Sequence, residues 1–243
     1  MQLTGRTILI TGGGSGIGFA LARALAPENR VAIAGRDQGR LEAARAAIPR
    51  LEVVGLDVTS EEDAAGTTGE VERRMGGLDM LINSAGVMHA GPFDEPGADR
   101  AAAQDVEINL LGTIRVTRMA LPMLRASDDG AVVMLSSALA LVSSPRMAVY
   151  AATKAAVHSL ARSLRAELNG EVKVFDVLPP WVESDLSRDV RGSKISPERV
   201  AEEIVEGLRK DRFEIQVGRI KLLAWIGRVS PRVADSVAAR ATG

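Results

Sequence analysis

The sequence predicts an α/β fold, a single domain over residues 1–243 built on a doubly wound parallel sheet of about seven strands flanked by helices. Two observations carry this. Short apolar runs alternate with segments of helical composition along the chain, the pattern of successive β–α–β units. The chemically distinctive residues also fall where those runs end, which is where open parallel sheets bind ligands. No internal repeat and no linker-like stretch divides the chain.

Composition narrows the function classes. The chain is 46% hydrophobic and 25% charged over 243 residues, enough for one substantial core. A net charge of −1 supplies no field to recruit nucleic acid. Cysteine is absent, so disulfides, thiol catalysis and Cys-ligated metal are excluded. The two histidines, His89 and His158, have no partner at ligand spacing, and no metal is expected. No apolar run approaches the ~20 residues of a spanning helix. The start, MQLTGRTILITGG, enters a strand and turn without a cleavable apolar region, so a cytoplasmic location is expected.

The first strand is Arg6 to Thr11, followed by GGGSGIG and the helical run FALARALA. Gly12, Gly16 and Gly18 give G-x-x-x-G-x-G, where the Rossmann spacing would need glycine in place of Ile17. Either spacing permits a tight turn, close backbone approach to a pyrophosphate, and a helix N-terminus facing phosphate. A plain αβ turn would use such glycines too. The second strand, Arg30 to Gly35, ends at Arg36 with no acid, and Asp37 comes one residue late. Arginine there suits the 2′-phosphate of NADP(H), with NAD(H) as the alternative; the competing reading is a solvated loop charge.

Gln38 to Ile48 reads as a helix and Glu52 to Val58 as the third strand, with Asp57 at its end to bond an adenine amino group. Ser60 to Met75 is helical, opened by a capping pattern at Ser60. Leu78 to Asn83 is the fourth strand and leads into NSAG, whose small residues suit close approach to a ligand. Residues 87–100 form a loop carrying His89. A long helix is expected from Ala101 to Arg125; Asn109 and Gly112, both poor helix formers, imply a kink in its middle with a bound water near Lys154. Gly130 to Ser137 is the fifth strand, Glu171 to Leu178 the sixth and 213–218 the seventh. Residues 187–196 are polar and read as a mobile flap, and Ser196 caps a helix with Pro197 in its first turn. Flap and helix together span 185–210.

Tyr150 and Lys154 are four apart on a helix rich in Ala, Leu and Arg, so their side chains share one face. Ser137 lies at the end of the fifth strand. A free phenol has a pKa of about 10, and a cation one turn away favours the phenolate. A serine hydroxyl bonds a substrate oxygen on which charge develops. The trio is thus equipped to move a proton at a carbinol or carbonyl oxygen; a surface Tyr–Lys pair is the plainer reading.

TGGGSGIG, LDV at 56–58, NSAG, Asn109, Ser137 and YAATK agree in order and spacing with the short-chain dehydrogenase/reductase family, and the chain resembles that family over nearly its whole length. The resemblance implies a Rossmann-like fold and a catalytic set of Asn109, Ser137, Tyr150 and Lys154. Tyr150 would be acid in reduction and base in oxidation, Lys154 would lower its pKa and bond the nicotinamide ribose, Ser137 would hold the substrate oxygen, and Asn109 would fix a water linking Lys154 to solvent. Gly12, Ser15, Gly16, Ile17 and Gly18 would form the cofactor turn. Asp57 and Val58 would flank adenine, Asn83 and Ala85 would lie along the adenosine ribose, Ser184 would lie near the carboxamide, and Gly86, Pro179 and Val182 would also bind the cofactor. Met88, His89, Leu139, Met147 and Trp181 are expected to line a moderately apolar substrate pocket. NSAG stands for the more usual NNAG, and PPWVES for PG-x-V-x-T, with Pro180 where glycine is frequent; ATKAAVHSL and PPWV are similar to the DltE-type branch.

Three functions are weighed: an NADP(H)-dependent oxidoreductase acting on a small carbonyl or alcohol, a non-catalytic NAD(P)-binding regulatory or scaffold protein, and cofactor-retaining epimerisation or dehydration. The family resemblance implies a homodimer or homotetramer. Leu222, Trp225, Ile226 and Val229 form an apolar stripe flanked by bases, so 219–240 is expected to be helical, packed over the pocket or a second subunit, with peripheral membrane contact through 219–230 as the alternative.

Overall fold

The structure is a computed structural model and describes residues 1–142, 144–188, 190 and 192–218. The amphipathic reading over 219–240, and two residues of the 187–196 stretch, lie outside the described residues. Seven strands form one parallel sheet: β1 (Thr7–Thr11), β2 (Arg30–Gly35), β3 (Glu52–Gly55), β4 (Met80–Asn83), β5 (Ala131–Leu135), β6 (Lys173–Leu178) and β7 (Glu214–Gln216). Their order is β3-β2-β1-β4-β5-β6-β7, so the winding reverses between β1 and β4. Thr11 pairs with Ala34 on one side and Asn83 on the other, which aligns three strand ends at the reversal.

The helices are α1 (Gly16–Leu25), α2 (Gln38–Ala47), α3 (Glu61–Met75), α4 (Ala98–Asp105), α5 (Thr113–Ala126), α6 (Ala148–Leu168) and α7 (Pro197–Arg209). On one face of the sheet Leu21 and Leu25 of α1 and Ile204 and Leu208 of α7 cover Ile8, Ile10 and Ile33. On the other, α3, α5 and α6 cover Leu9, Leu81 and Val132 through residues such as Val71, Val116 and Val157. The strands read as continuous apolar runs because both faces are buried. Burying each such side chain contributes about 1.5–3 kcal/mol.

Local chemistry sets the boundaries. Asp37, Ser60 and Ser196 each accept a bond from the backbone N–H three residues on, at Arg40, Asp63 and Arg199, and so start α2, α3 and α7. Helix α1 begins at Gly16, three residues before the expected run, because extended Ser15 already occupies its cap position. Strand β3 stops at Gly55 rather than Val58: Asp57 turns the chain by accepting bonds from Thr59 N and Oγ1 at 2.9 and 2.8 Å. The long helix expected over 101–125 is three pieces, α4 and α5 joined by a π-helical segment at Val106–Gly112.

Candidate active site

The turn after β1 is packed against the turn after β4. Thr11 Oγ1 accepts from both Ser84 N and Ala85 N at 3.1 Å. A Cβ on Gly12 would stand 2.8 Å from Ala85 Cα, and one on Gly18 would stand 2.4 Å from Gly12 O. Glycine at 12 and 18 is therefore required by contact between backbones. Two adjoining hollows run along these turns. The outer, about 440 Å³, is lined by Gly12, Ser15, Arg36, Leu56, Val58 and Gly86 among others. The inner, about 240 Å³, is lined by Ser15, Gly16, Ile17, Tyr150, Lys154, Pro179 and Ser184 among others. Gly12, Ser15, Arg40, Ala85 and Gly86 belong to both. A long groove with a glycine turn at its waist and the start of α1 beneath fits a dinucleotide: backbone can approach a diphosphate, and Val58 and Leu56 offer apolar cover at the outer end.

At the outer end Arg36 is exposed and faces the Asp57 carboxylate at 3.9 Å. Burial would raise the Asp57 carboxyl, but the bonds from Thr59 and the charges of Arg36 and Arg115 outweigh it and hold the group below its ordinary value. Asp37, which might otherwise take ribose hydroxyls, is committed to capping α2 and to an ion pair with Arg40 at 3.2 Å. Arg40 also pairs with Asp185 at 3.0 Å, so it ties α2 to the segment beyond β6 across the groove. Sequence reasoning passed over Arg40; its only signal was a base in the first turn of the helix after β2.

At the inner end Ser137, Tyr150 and Lys154 come together, each only 7% exposed. Ser137 extends from β5, accepts a bond from Leu139 N at 3.1 Å and shares a hydrogen bond with the Tyr150 hydroxyl. Lys154 Nζ donates to Leu135 O at 2.9 Å and lies 5.8 Å from the centre of the Tyr150 ring. The lowering expected at Tyr150 is not present in this arrangement. Burial pushes the phenol up to about 12, against the Ser137 bond and with the Asp105 charge adding to the rise. Burial likewise brings Lys154 down to about 8, with Asp105 and Asp176 pulling it back up. Desolvation disfavours both charged forms and outweighs the Ser137 bond at Tyr150 and the acid charges at Lys154.

Asn109 sits in the π-helical segment. Its amide clamps Val87, accepting from Val87 N and donating to Val87 O, each at 2.9 Å, and also donates to Thr153 Oγ1 at 3.3 Å. Its main-chain carbonyl accepts from Thr113 Oγ1 at 2.8 Å. The expected kink is thus a π segment, and Asn109 is a brace between α6 and the chain after β4.

Met88, Leu139, Met147 and Trp181 gather around Tyr150 with Val142 and Val190, as a small apolar cluster. His89 follows Met88 in the chain, and both line the next cavity, of about 460 Å³. His89 also contacts Asp105 through Nδ1 at 2.9 Å. Asn83 is buried and donates to Thr117 Oγ1 on α5 at 3.0 Å. Val182 is in the core, its backbone paired with Ile195. Asp105, and Asp176 on β6 with its bonds to Ser136 and His158, are buried acids that sequence reasoning did not single out. Among the described residues there is no metal-binding cluster, and no helix long and apolar enough to cross a membrane.

Residues 6–194 match the family described as short chain dehydrogenase. The uncharacterized oxidoreductase DltE of Bacillus subtilis is 31% identical over 91% of both chains. An 11-beta-hydroxysteroid dehydrogenase-like protein of Arabidopsis thaliana is 31% identical over 96% of this chain and 80% of its own. Among solved structures, a short chain dehydrogenase from Burkholderia cenocepacia in complex with NADP is 28% identical, with a TM-score of 0.86 over 98% of this chain and 99% of its own. A short chain dehydrogenase/reductase from Burkholderia phymatum in complex with NAD is 25% identical, with a TM-score of 0.85 over 95% and 98%.

Proposed function

The chain belongs to the short chain dehydrogenase family of NAD(P)-dependent oxidoreductases, and from that premise we propose that it transfers hydride between NADP(H) and a carbonyl or secondary alcohol, with Tyr150 as the proton donor and acceptor. The observation that carries the reading is the burial of Tyr150 and Lys154 at the inner end of the glycine-turn groove, with buried Ser137 bonded to the Tyr150 hydroxyl. When bound there, the nicotinamide supplies or takes the hydride. The protein's own residues handle the proton. Ser137 bonds the substrate oxygen, and the Tyr150 hydroxyl delivers its proton to that oxygen as charge develops on it. A phenol held well above neutrality is protonated at rest, the form that a proton donor to a carbonyl oxygen needs. Lys154 holds positive charge beside the phenolate left behind. Leu139, Met147 and Trp181 exclude water and suit a moderately apolar substrate. The hydroxysteroid in the Arabidopsis relative's name is an alcohol of that kind.

Preference for NADP(H) rests on Arg36 at the open outer end and on Asp37 being engaged by the α2 cap and Arg40. Titration with NADPH and with NADH, read by tryptophan fluorescence, tests it. NADPH is expected to bind more tightly, and Arg36→Ala should weaken NADPH far more than NADH; equal weakening of the two would sink the phosphate assignment. Tyr150→Phe is expected to lose at least ~100-fold in turnover while binding NADPH as before. Turnover left intact would refute the role given to Tyr150, and binding of neither nucleotide would favour a non-catalytic protein.

A further inference from the structure

Asp176 of β6 is a carboxylate at 0% exposure, and none of the proposed chemistry uses it. Burying a carboxylate costs several kcal/mol before its partners offset that. Its neighbours are apolar. Side chains alternate across a sheet, so Val174 of β6 and Val132 and Met134 of β5 lie in the core shared with α6, while Phe175 and Val177 lie in the core on the other face. Within that apolar row the acid makes two contacts, each with a different element. Ser136 Oγ, just past β5, donates to Oδ1 at 2.6 Å, and His158 Nδ1, on α6, lies 2.5 Å from Oδ2.

The placement of those partners is informative. Tyr150, Lys154 and His158 stand four apart on α6, so they form one stripe over three successive turns. Leu135, Ser136 and Ser137 are three successive residues where β5 ends. Each of the three is joined to one member of the stripe. Lys154 Nζ donates to Leu135 O at 2.9 Å, Ser137 shares a hydrogen bond with the Tyr150 hydroxyl, and Ser136 reaches His158 through Asp176. The third link also takes in β6, where Val177 O accepts from Ser136 N at 2.9 Å.

We propose that Asp176, by holding Ser136 and His158 at once, is a positioning residue that sets α6 against the end of β5 and so fixes the bond between Ser137 and Tyr150. The proposal rests on the oxidoreductase reading above. In that reading Ser137 and Tyr150 meet on one substrate oxygen, and one of them comes from β5 and the other from α6. A misplacement of about 1 Å between the two elements costs about 100-fold in rate. The Lys154 bond to Leu135 fixes one point of the helix. An anchor one turn further on fixes its direction as well.

Two measurements test it. The chain has one tyrosine, so protein isotopically labelled at tyrosine Cζ gives a single carbon resonance, which reports the Tyr150 hydroxyl bond without substrate or cofactor. Ser136→Ala removes one link to Asp176 and keeps the His158 pair, and the resonance should move. His158→Leu should cut kcat for NADPH reduction of nitrobenzaldehyde, an apolar carbonyl probe, about tenfold, with NADPH affinity within about twofold of wild type. His158→Asn, whose amide keeps a donor near the place of Nδ1, should restore most of the rate. A role confined to stability would lower the melting temperature and leave both readouts unchanged. An unmoved resonance in Ser136→Ala, a His158→Leu variant with wild-type kcat, or a His158→Asn variant as slow as His158→Leu overturns the proposal. If His158→Leu does not fold, the Ser136→Ala resonance decides. A wild-type protein that reduces no carbonyl overturns the oxidoreductase reading instead, and the Tyr150 resonance still decides the Asp176 link.

Discussion

Burial moves the two titratable partners of the site in opposite directions, the Tyr150 phenol up to about 12 and the Lys154 ammonium down to about 8. For the lysine this fixes the sign of a stability effect. Between pH 8 and the ordinary value of 10.5 the unfolded chain holds a proton that the folded chain has released, so stability rises with pH across that window. Below it the buried charge is a full cost. Lys154→Met, similar in length and uncharged, should therefore melt at or above the wild-type temperature at neutral pH, with the difference shrinking as pH rises, while turnover is lost. Thermal denaturation at several pH values checks this, and a variant less stable than wild type at neutral pH contradicts it. Ser137, Tyr150 and Lys154 were legible in the sequence because a strand end and a spacing of four place them by local rules alone. The depth of Tyr150, the Arg40 bridge and the Asp105–His89 contact were not. Each depends on which distant segments the sheet brings together.

The π-helical segment illustrates how much of an element a sequence can convey. Poor helix formers at 109 and 112 marked an irregularity, and the segment lies across both. Its geometry was hidden because it is set by the neighbouring turn. A Cβ on Gly112 would stand 2.7 Å from Val58 Cγ2, so this glycine lets the segment approach the outer end of the groove. Gly112→Ala should destabilise by about 1–3 kcal/mol and weaken nucleotide binding, and Val58→Ala in the same chain should recover part of the loss; denaturant titration of the cycle measures the coupling. Helix α6 carries a second pH-dependent contact. His158 Nδ1 lies 2.5 Å from Asp176 Oδ2 on β6, while Ser136 donates to Oδ1 at 2.6 Å. That bond, then the Asp176 charge, raise the His158 imidazole above 6.5 despite burial and Arg162. A raised histidine contributes fully below its unfolded value and loses that contribution as pH rises through its folded one. The melting temperature of His158→Gln should fall furthest below wild type at acid pH and converge above neutrality. A gap that widens with pH would refute the ion pair.

Across the whole molecule, the strand order made the site's location legible before any side chain was placed: the winding reverses between β1 and β4, and the groove lies over that reversal. A ligand held by both halves stabilises the whole fold. NADPH at a hundred times its dissociation constant should add ~2.7 kcal/mol, raising the melting temperature by roughly 5–10 °C, and an equal concentration of NADH should add less. The seam at Thr11, Gly12 and Ala85 has a further consequence. On one side of it β2 and β3 present Arg36 and Val58; on the other β5, β6 and α6 present Ser137, Pro179, Tyr150 and Lys154. The two ends of the groove thus come from separate stretches of the chain, joined at the seam by backbone and across the groove by the Arg40–Asp185 ion pair. Exchange of residues 30–58 is expected to alter the outer end of the groove while Ser137, Tyr150 and Lys154 stay in place, as long as Arg40 keeps its partner Asp185.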